Sequence, residues 1–208
     1  MEEMIEDILY FLAVINPASK ISYIAAMEPP LSARQLWRIS LRSSSVALGI
    51  FILMALSGHF ILEYVFRVQL GTLRVAGGIV MFIVGLQMIR EGMVQGQSKL
   101  HGDNADDISI VPLAAPLIAG PGTITMLISY AALRGPGKVC IYITLAVLIN
   151  MLFMASSNYL GKIFARFGAM GAVVKLTGLI VAAIAMQMVL QGIGDWIPTW
   201  VAVGKAAH

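Results

Sequence analysis

The sequence predicts an all-α membrane protein with six transmembrane helices, arranged as two inverted three-helix repeats in which helices 1 and 4 are broken at the membrane midplane. Three observations predict this fold: an apolar composition, six apolar segments of membrane-spanning length, and helix breakers within the first and fourth of them. Hydrophobic residues make up 59% of the 208 residues and charged residues 12%. A soluble domain of this size is less apolar, so the lipid bilayer is an expected partner.

The apolar segments are of the length that a membrane requires. They fall at about residues 5–27, 43–66, 70–90, 109–132, 138–160 and 173–193. Each approaches the roughly 20 residues that an α-helix needs to cross a hydrocarbon core of about 30 Å. The N-terminus is acidic and lacks the basic region of a secretory signal, so the first segment is interpreted as a span.

Lysine and arginine are distributed unequally between the two sets of connecting segments. Five lie on one side, and eight follow spans 1, 3 and 5: Arg34, Arg38, Arg42, Arg90, Lys99, Lys162, Arg166 and Lys175. The positive-inside rule then predicts a multi-pass protein of the plasma (cell inner) membrane with both termini outside. Residues 94–108 are then predicted to form a polar cytoplasmic linker. It connects a first three-helix unit, 1–93, to a second three-helix unit, 109–208.

The two halves of the chain resemble each other. At a spacing of 100 residues, the matches are Gly78 with Gly178, Gln87 with Gln187, Met88 with Met188 and Gly92 with Gly192. Asn16-Pro17 corresponds to Gly120-Pro121 at a spacing of 104. A unit with an odd number of spans inserts in the opposite orientation to its partner, which predicts an inverted repeat. Two unrelated halves that match by chance are the alternative.

Helix breakers interrupt the first and fourth spans. Asn16-Pro17 is typical of an N-cap followed by a first-turn proline. Gly120, Pro121 and Gly122 should open the fourth span, because proline cannot donate the helical hydrogen bond and glycine loses more backbone entropy. At membrane depth, irregular backbone is tolerated only where it is buried in protein or lines a cavity, so the breaks indicate a binding site. Structural kinks without a ligand are the alternative.

Two facing breaks would present helix ends of opposite polarity. Free N–H groups at the start of each second half-helix suit a carboxylate, and free carbonyl groups at the end of each first half-helix suit an ammonium group or a coupling ion, either a proton or sodium. The predicted substrate-binding residues are Asn16, Pro17, Ala18, Ser19, Lys20, Gly120, Pro121, Gly122, Thr123 and Thr125.

Lys20 places an ammonium group about one turn past the first break, well inside an apolar segment. Because a lysine at a helix centre costs roughly 2.5–3.5 kcal/mol on insertion scales, it should face a cavity or a partner. Three roles stay open: binding the substrate carboxylate, titrating in place of a coupling ion, or snorkelling to the cytoplasmic face. No carboxylate is expected in the interior of a span, because Glu63 is close to the end of span 2 and the others are assigned to connecting segments. Backbone carbonyl groups or a bound anion are therefore the expected partners.

Other residues within the spans are assigned to packing. Polar side chains such as Asn150, Gln87 and Gln187 are interpreted as interhelical contacts. Small residues should allow helices to approach closely, and they include Gly77, Gly78, Gly178 and Ala182.

Three stretches carry a family resemblance: PLIAGPGTIT in the fourth span, INPASKI in the first and AGGIVMFIVGLQMI in the third. Together they resemble the MarC-related family of small membrane proteins, which includes archaeal transporters of small neutral amino acids. The first stretch is the specific one, because Gly-Pro-Gly-Thr inside a span is rare. The resemblance implies six spans, paired broken helices and a glycine- or alanine-like substrate. Many relatives have a glycine soon after Asn-Pro, where this chain has Ala18, Ser19 and Lys20.

The expected function is secondary transport of small neutral amino acids, namely glycine, alanine and, as a third candidate, serine. Transport would proceed by alternating access and be coupled to an ion, because the polar groups are concentrated at two breaks. A channel or exporter for other small metabolites is one alternative, although a channel would need a continuous polar lining. A structural membrane protein without transport activity is the alternative from another class.

Enzymatic activity is not expected. Ser19 and Lys20 are neighbours that point about 100° apart on a helix, so they do not form a catalytic pair. The three histidines are dispersed, and no carboxylate pair or metal cage is expected within the spans. No cofactor is expected beyond the coupling ion, and the scattered net charge of +3 gives no basis for nucleic-acid binding. A homo-oligomer is compatible with the sequence, which leaves the oligomeric state open.

Overall fold

The computed structural model describes residues 2–25, 27, 30–65, 67–92 and 118–206, and these residues contain helices and no strand. A five-residue π-helical turn, Ile61–Val65, follows the third α-helix. The α-helices are α1 (Glu2–Ile15), α2 (Pro17–Ala25), α3 (Ala33–Phe60), α4 (Leu70–Glu91), α5 (Pro121–Arg134), α6 (Pro136–Ala155), α7 (Ser157–Arg166) and α8 (Met170–Ala206).

Five segments of the described part are long and apolar enough to cross a membrane. They are Glu3–Ala25, Ala33–Gly58, Leu70–Glu91, Pro136–Ala155 and Met170–Trp196. The fourth predicted segment, 109–132, lies partly outside the described residues, and from Pro121 onward it belongs to the 14-residue α5. The predicted linker, 94–108, also lies outside the described residues. Because the described part contains five helices of membrane-spanning length and composition, the chain is a multi-pass helical membrane protein.

The second span begins earlier than the apolar pattern predicts, at Ala33 rather than near residue 43. The cause is a capping box, in which the Ser32 hydroxyl accepts a hydrogen bond from Gln35 N and Gln35 Oε1 accepts one from Ser32 N. The expectation that the arginines at 34, 38 and 42 lie in a connecting segment is wrong, because all three lie on the first turns of α3. Lys175 likewise lies on α8.

Helices α4 and α8 pack together more extensively than any other pair in the described part of the chain. Gly71 approaches Gly192, and Gly85 approaches Gly178, so the two helices run antiparallel. A β-carbon at Gly85 would stand 2.8 Å from the Gly178 carbonyl oxygen, which only a glycine permits. The prediction that Gly78 and Gly178 allow close helix contact is thus confirmed.

Ion pairs join the start of α1 to the end of α5. The Arg134 guanidinium lies 2.9 Å from a carboxylate oxygen of Glu3 and 3.7 Å from one of Asp7. These contacts make α1 and α5 antiparallel. Asp7 is only 4% exposed and lies on a helix near the start of the first span, so the expectation that this carboxylate lies in a connecting segment is wrong. The helix begins at Glu2 and carries this side chain into the protein, where Arg134 supplies a counter-charge.

Arg74 forms a second polar link, between α4, α5 and α8. It is 7% exposed, donates from Nε to Ser129 Oγ at 2.9 Å, and contacts Asp195 Oδ2 at 2.6 Å. Between the two links lies an aromatic contact in which the rings of Tyr10 and Tyr130 stack with their centroids 5.5 Å apart.

The buried hydrophobic core lies between α1, α3, α5 and α6. Its members include Phe11, Phe51, Leu127 and Ile143.

Candidate functional site

The first membrane-length segment is interrupted at Asn16. Helix α1 ends at Ile15, α2 begins at Pro17, and Asn16 has a φ of 57°, a left-handed conformation that asparagine tolerates better than most residues. Asn16 N donates to Leu12 O at 2.8 Å, which closes α1. Ser19 N and Oγ donate to Asn16 O at 3.2 and 2.7 Å. Local hydrogen bonds therefore hold the interruption in place.

The start of α5 is a helix N-terminus formed by glycine and proline. Gly120 is the N-cap in an extended conformation and Pro121 is the first helical residue, where its missing N–H would have no helical partner in any case. Gly120 O accepts a hydrogen bond from Ile124 N at 3.0 Å. Because glycine has no side chain to cap the helix, the N-terminal end of α5 lacks a side-chain acceptor.

A cavity of about 220 Å³ lies where the α1–α2 interruption meets the start of α5. Seven of the ten predicted site residues line it: Asn16, Ser19, Lys20, Gly120, Pro121, Gly122 and Thr123. The rest of the described wall consists of Val14, Ile15, Val80, Met81, Val84, Gln87, Met88 and Val181. The structure thus brings together residues from both halves of the chain.

Three predicted site residues lie outside this lining. Pro17 and Ala18 line a separate cavity of about 370 Å³ on the side of α7 and α8. Thr125 is buried beside the first cavity, and its hydroxyl donates to Pro121 O at 2.9 Å. Its methyl group lies against Gly77, where a β-carbon would stand 2.4 Å from Thr125 Cγ2. Thr125 therefore contributes to the packing of α5 against α4.

Lys20 is 2% exposed, and its ammonium group donates a hydrogen bond to Ile15 O at the last residue of α1. The C-terminal end of a helix carries partial negative charge, so this is a favourable position for a cation. A buried ammonium group directed back toward α1 does not fit the snorkelling interpretation. The two other predicted roles, binding a carboxylate and replacing a coupling ion, remain.

The side-chain amide of Asn16 connects the interruption to α4. Its Nδ2 donates to Met88 Sδ at 3.5 Å, and its Oδ1 accepts a hydrogen bond from Ser19 N at 3.4 Å. Both ends of the amide are therefore engaged, and the cavity wall formed by α4 is fixed relative to the break.

The contribution of α4 to the cavity was not predicted. Gln87 was expected to make an interhelical contact, and the other wall residues of this helix, Val80, Met81, Val84 and Met88, were not among the predicted site residues. Steps of three and four residues relate 80 to 84 and 81 to 84 and 88, so these positions share one face of a helix. That spacing was a usable signal for a common face, although it does not specify the partner of that face.

Comparison with known proteins points to one family. The family model described as MarC family integral membrane protein matches residues 1–197. A UPF0056 membrane protein of Pyrococcus horikoshii is 29% identical over 195 residues, which cover 93% of this chain and 95% of the relative. A UPF0056 membrane protein of Aquifex aeolicus is 27% identical, with 91% of each chain covered. No solved structure matched. The chain therefore belongs to the MarC family of integral membrane proteins.

Proposed function

We propose that this protein is a secondary transporter of small neutral amino acids, with glycine, alanine and serine as substrates, that works by ion-coupled alternating access. One observation carries the proposal: the α1–α2 interruption and the first turn of α5 line a single cavity of about 220 Å³. Interrupted helices that meet between two repeats are typical of the substrate sites of secondary transporters.

The cavity offers partners for a small amino acid. The N-terminal end of α5, at Gly120 to Gly122, carries partial positive charge and suits the substrate carboxylate. Asn16 and Thr123 add short polar groups to the same cavity. The valines at 80, 84 and 181 form an apolar wall suited to hydrogen or a methyl group. A site of this size should reject aromatic side chains.

The proposal includes the full architecture of six spans in two inverted units, 1–93 and 109–208, in a plasma membrane with both termini outside. Two structural features support the inversion. Helices α4 and α8, which correspond to spans 3 and 6, pack antiparallel, and the Arg134–Glu3 ion pair sets α5 antiparallel to α1. Equivalent helices of an inverted repeat run in opposite directions.

Alternating access also requires a closed side, and we assign it to the side of the N-terminus. Along α1 and α5, the stacked pair Tyr10–Tyr130 lies between the cavity and the ion pairs of Arg134. Arg74 ties α4 to Ser129 and Asp195 in the same region. Opening toward that side would separate these contacts.

The test is uptake of labelled glycine and alanine by vesicles that contain the purified protein, with proton or sodium gradients imposed separately. Saturable uptake that responds to one gradient, exceeds that of phenylalanine and is absent from empty vesicles is expected. Flux that does not saturate would favour a channel. An absence of flux for all three amino acids under both gradients would favour a structural membrane protein.

A further inference from the structure

Several carbonyl groups at the end of α1 are already occupied by groups of the chain itself. Ile15 O accepts a hydrogen bond from Lys20 Nζ, and Asn16 O accepts two from Ser19. Leu12 O accepts one from Asn16 N. In a site for a zwitterion, such carbonyl groups are the partners of the ligand's ammonium group. Here a tethered ammonium group takes that place.

The charge of the cavity is unbalanced. Lys20 is the only ionisable residue among the described residues that line it, and Lys20 is 2% exposed. The sequence of residues 109–117, which precedes the described start of this region, contains no ionisable side chain. The N-terminal end of α5 adds further partial positive charge, whereas the partial negative end of α1 is already engaged by the Lys20 ammonium group. Because an intramembrane lysine without an acidic partner is costly, an anion is the ligand that would best balance this site.

Within the described part of the chain, the Lys20 ammonium group uses one of its donors. A lysine carries three N–H donors, and one of them is directed to Ile15 O. The other two suit the two oxygens of a carboxylate that enters the cavity. The wall formed by α4 and α8 offers the hydrocarbon surface of Val80, Val84 and Val181 and the neutral amide of Gln87. None of the described lining residues carries a carboxylate that would pair with an amine.

We propose that the cavity binds small monocarboxylates that have no amino group, such as acetate and propionate, with Lys20 as the counter-ion of the carboxylate. Because the ligand occupies the same cavity, this assignment rests on the proposed function. It differs from that function in one requirement: the amino group of the ligand is dispensable and the carboxylate is not.

Titration of the purified full-length protein with matched ligand pairs tests the proposal. Acetate differs from glycine, and propionate from alanine, by the amino group alone, whereas glycinamide keeps the amine and lacks the carboxylate. Acetate and propionate should bind at least as tightly as glycine and alanine, and glycinamide should not bind.

The other outcomes separate the two proposals. Binding of glycine without acetate would overturn the monocarboxylate assignment and leave amino acid transport standing. Binding of acetate without glycine would support the assignment and contradict amino acid transport. Binding of none of these ligands would overturn both.

Variants of Lys20 test its role as the counter-ion. Lys20→Met removes the charge at similar length, and Lys20→Gln removes the charge but keeps a donor for Ile15 O. Both should weaken propionate binding about ten- to hundredfold, because a hydrogen bond to a charged group is lost. Lys138→Met, at an exposed position on α6, should bind propionate normally. Monodisperse elution in detergent checks that each variant is folded. Wild-type affinity in folded Lys20→Gln would reduce Lys20 to a helix cap and overturn the assignment.

Discussion

Gly122 lies so close to the Met81 side chain that a β-carbon on residue 122 would stand 1.8 Å from Met81 Cγ and 2.6 Å from Sδ. This contact joins the first turn of α5 to α4 at the wall of the cavity. Residue 122 must be glycine because the Met81 side chain approaches so closely. Its backbone conformation is helical and would accept any residue.

The first prediction concerns this contact. Gly122→Ala should push Met81 toward the cavity, reduce glycine uptake and lower the free energy of unfolding by about 1–3 kcal/mol, the usual cost of overpacking. Met81→Ala in the same chain should restore much of the stability by removing the clashing atoms. Gly49→Ala is the control, because nothing lies within 4 Å of its added β-carbon. Unchanged uptake and stability in Gly122→Ala would contradict the close contact.

A second prediction concerns the interface between α4 and α8. A β-carbon at Gly85 would stand 2.8 Å from both Ala182 N and Gly178 O. These are backbone atoms, so no side-chain rotation relieves the clash. Gly85→Ala should therefore force the helices apart and lower the midpoint of thermal unfolding, whereas Gly194→Ala on α8, with open space around it, should not. Equal midpoints for the two variants would show that the helices are not so closely packed.

The sequence could predict a helix boundary at Asn16-Pro17, where α1 ends and α2 begins, because both residue types restrict the backbone locally. It could not predict that Met81 faces the cavity, since the face of α4 that meets α5 depends on how helices pack. The early start of α3 was missed for another reason: a search for apolar runs ignores polar first turns. The Ser32 and Gln35 capping box was the available signal there. The burial of Asp7 depends on the tertiary contact with Arg134.

The third prediction separates the two partners of Arg74. Arg74→Met should lower the free energy of unfolding by about 1–3 kcal/mol, because it leaves the buried Ser129 hydroxyl without this donor. Asp195→Asn should cost less than Arg74→Met, because the asparagine amide oxygen can still accept from Arg74 Nη1 and the 49% exposed side chain leaves that end of the pair open to water. Chemical unfolding in detergent measures both values. A larger loss of unfolding free energy for Asp195→Asn than for Arg74→Met would contradict the greater importance of the Ser129 contact.

The fourth prediction uses the contrast between the two carboxylates that face Arg134. Asp7 is 4% exposed, whereas the Glu3 side chain is 80% exposed. Arg134→Met should lower the midpoint of thermal unfolding more than Glu3→Gln does, because it removes the counter-charge of a buried carboxylate. Asp7→Asn should suppress the effect of Arg134→Met, which a double-mutant cycle would reveal as coupling. Additive effects would mean that the two side chains do not interact.

The last prediction concerns orientation in the membrane. If both termini face outward, the turn between α5 and α6 is external and the turn after α7 is cytoplasmic. Gly137 and Phe167 are exposed residues at these two turns, and a β-carbon added at Gly137 would have nothing within 4 Å. In a chain with Cys140→Ala, a maleimide that cannot cross membranes should label Gly137→Cys in intact cells. It should label Phe167→Cys only after permeabilisation. The positive-inside rule depends on the charges near the helix ends, and Lys162 and Arg166 lie on the predicted cytoplasmic side. The reverse labelling pattern would invert the protein and place the proposed closed side, at Tyr10 and Tyr130, toward the cytoplasm.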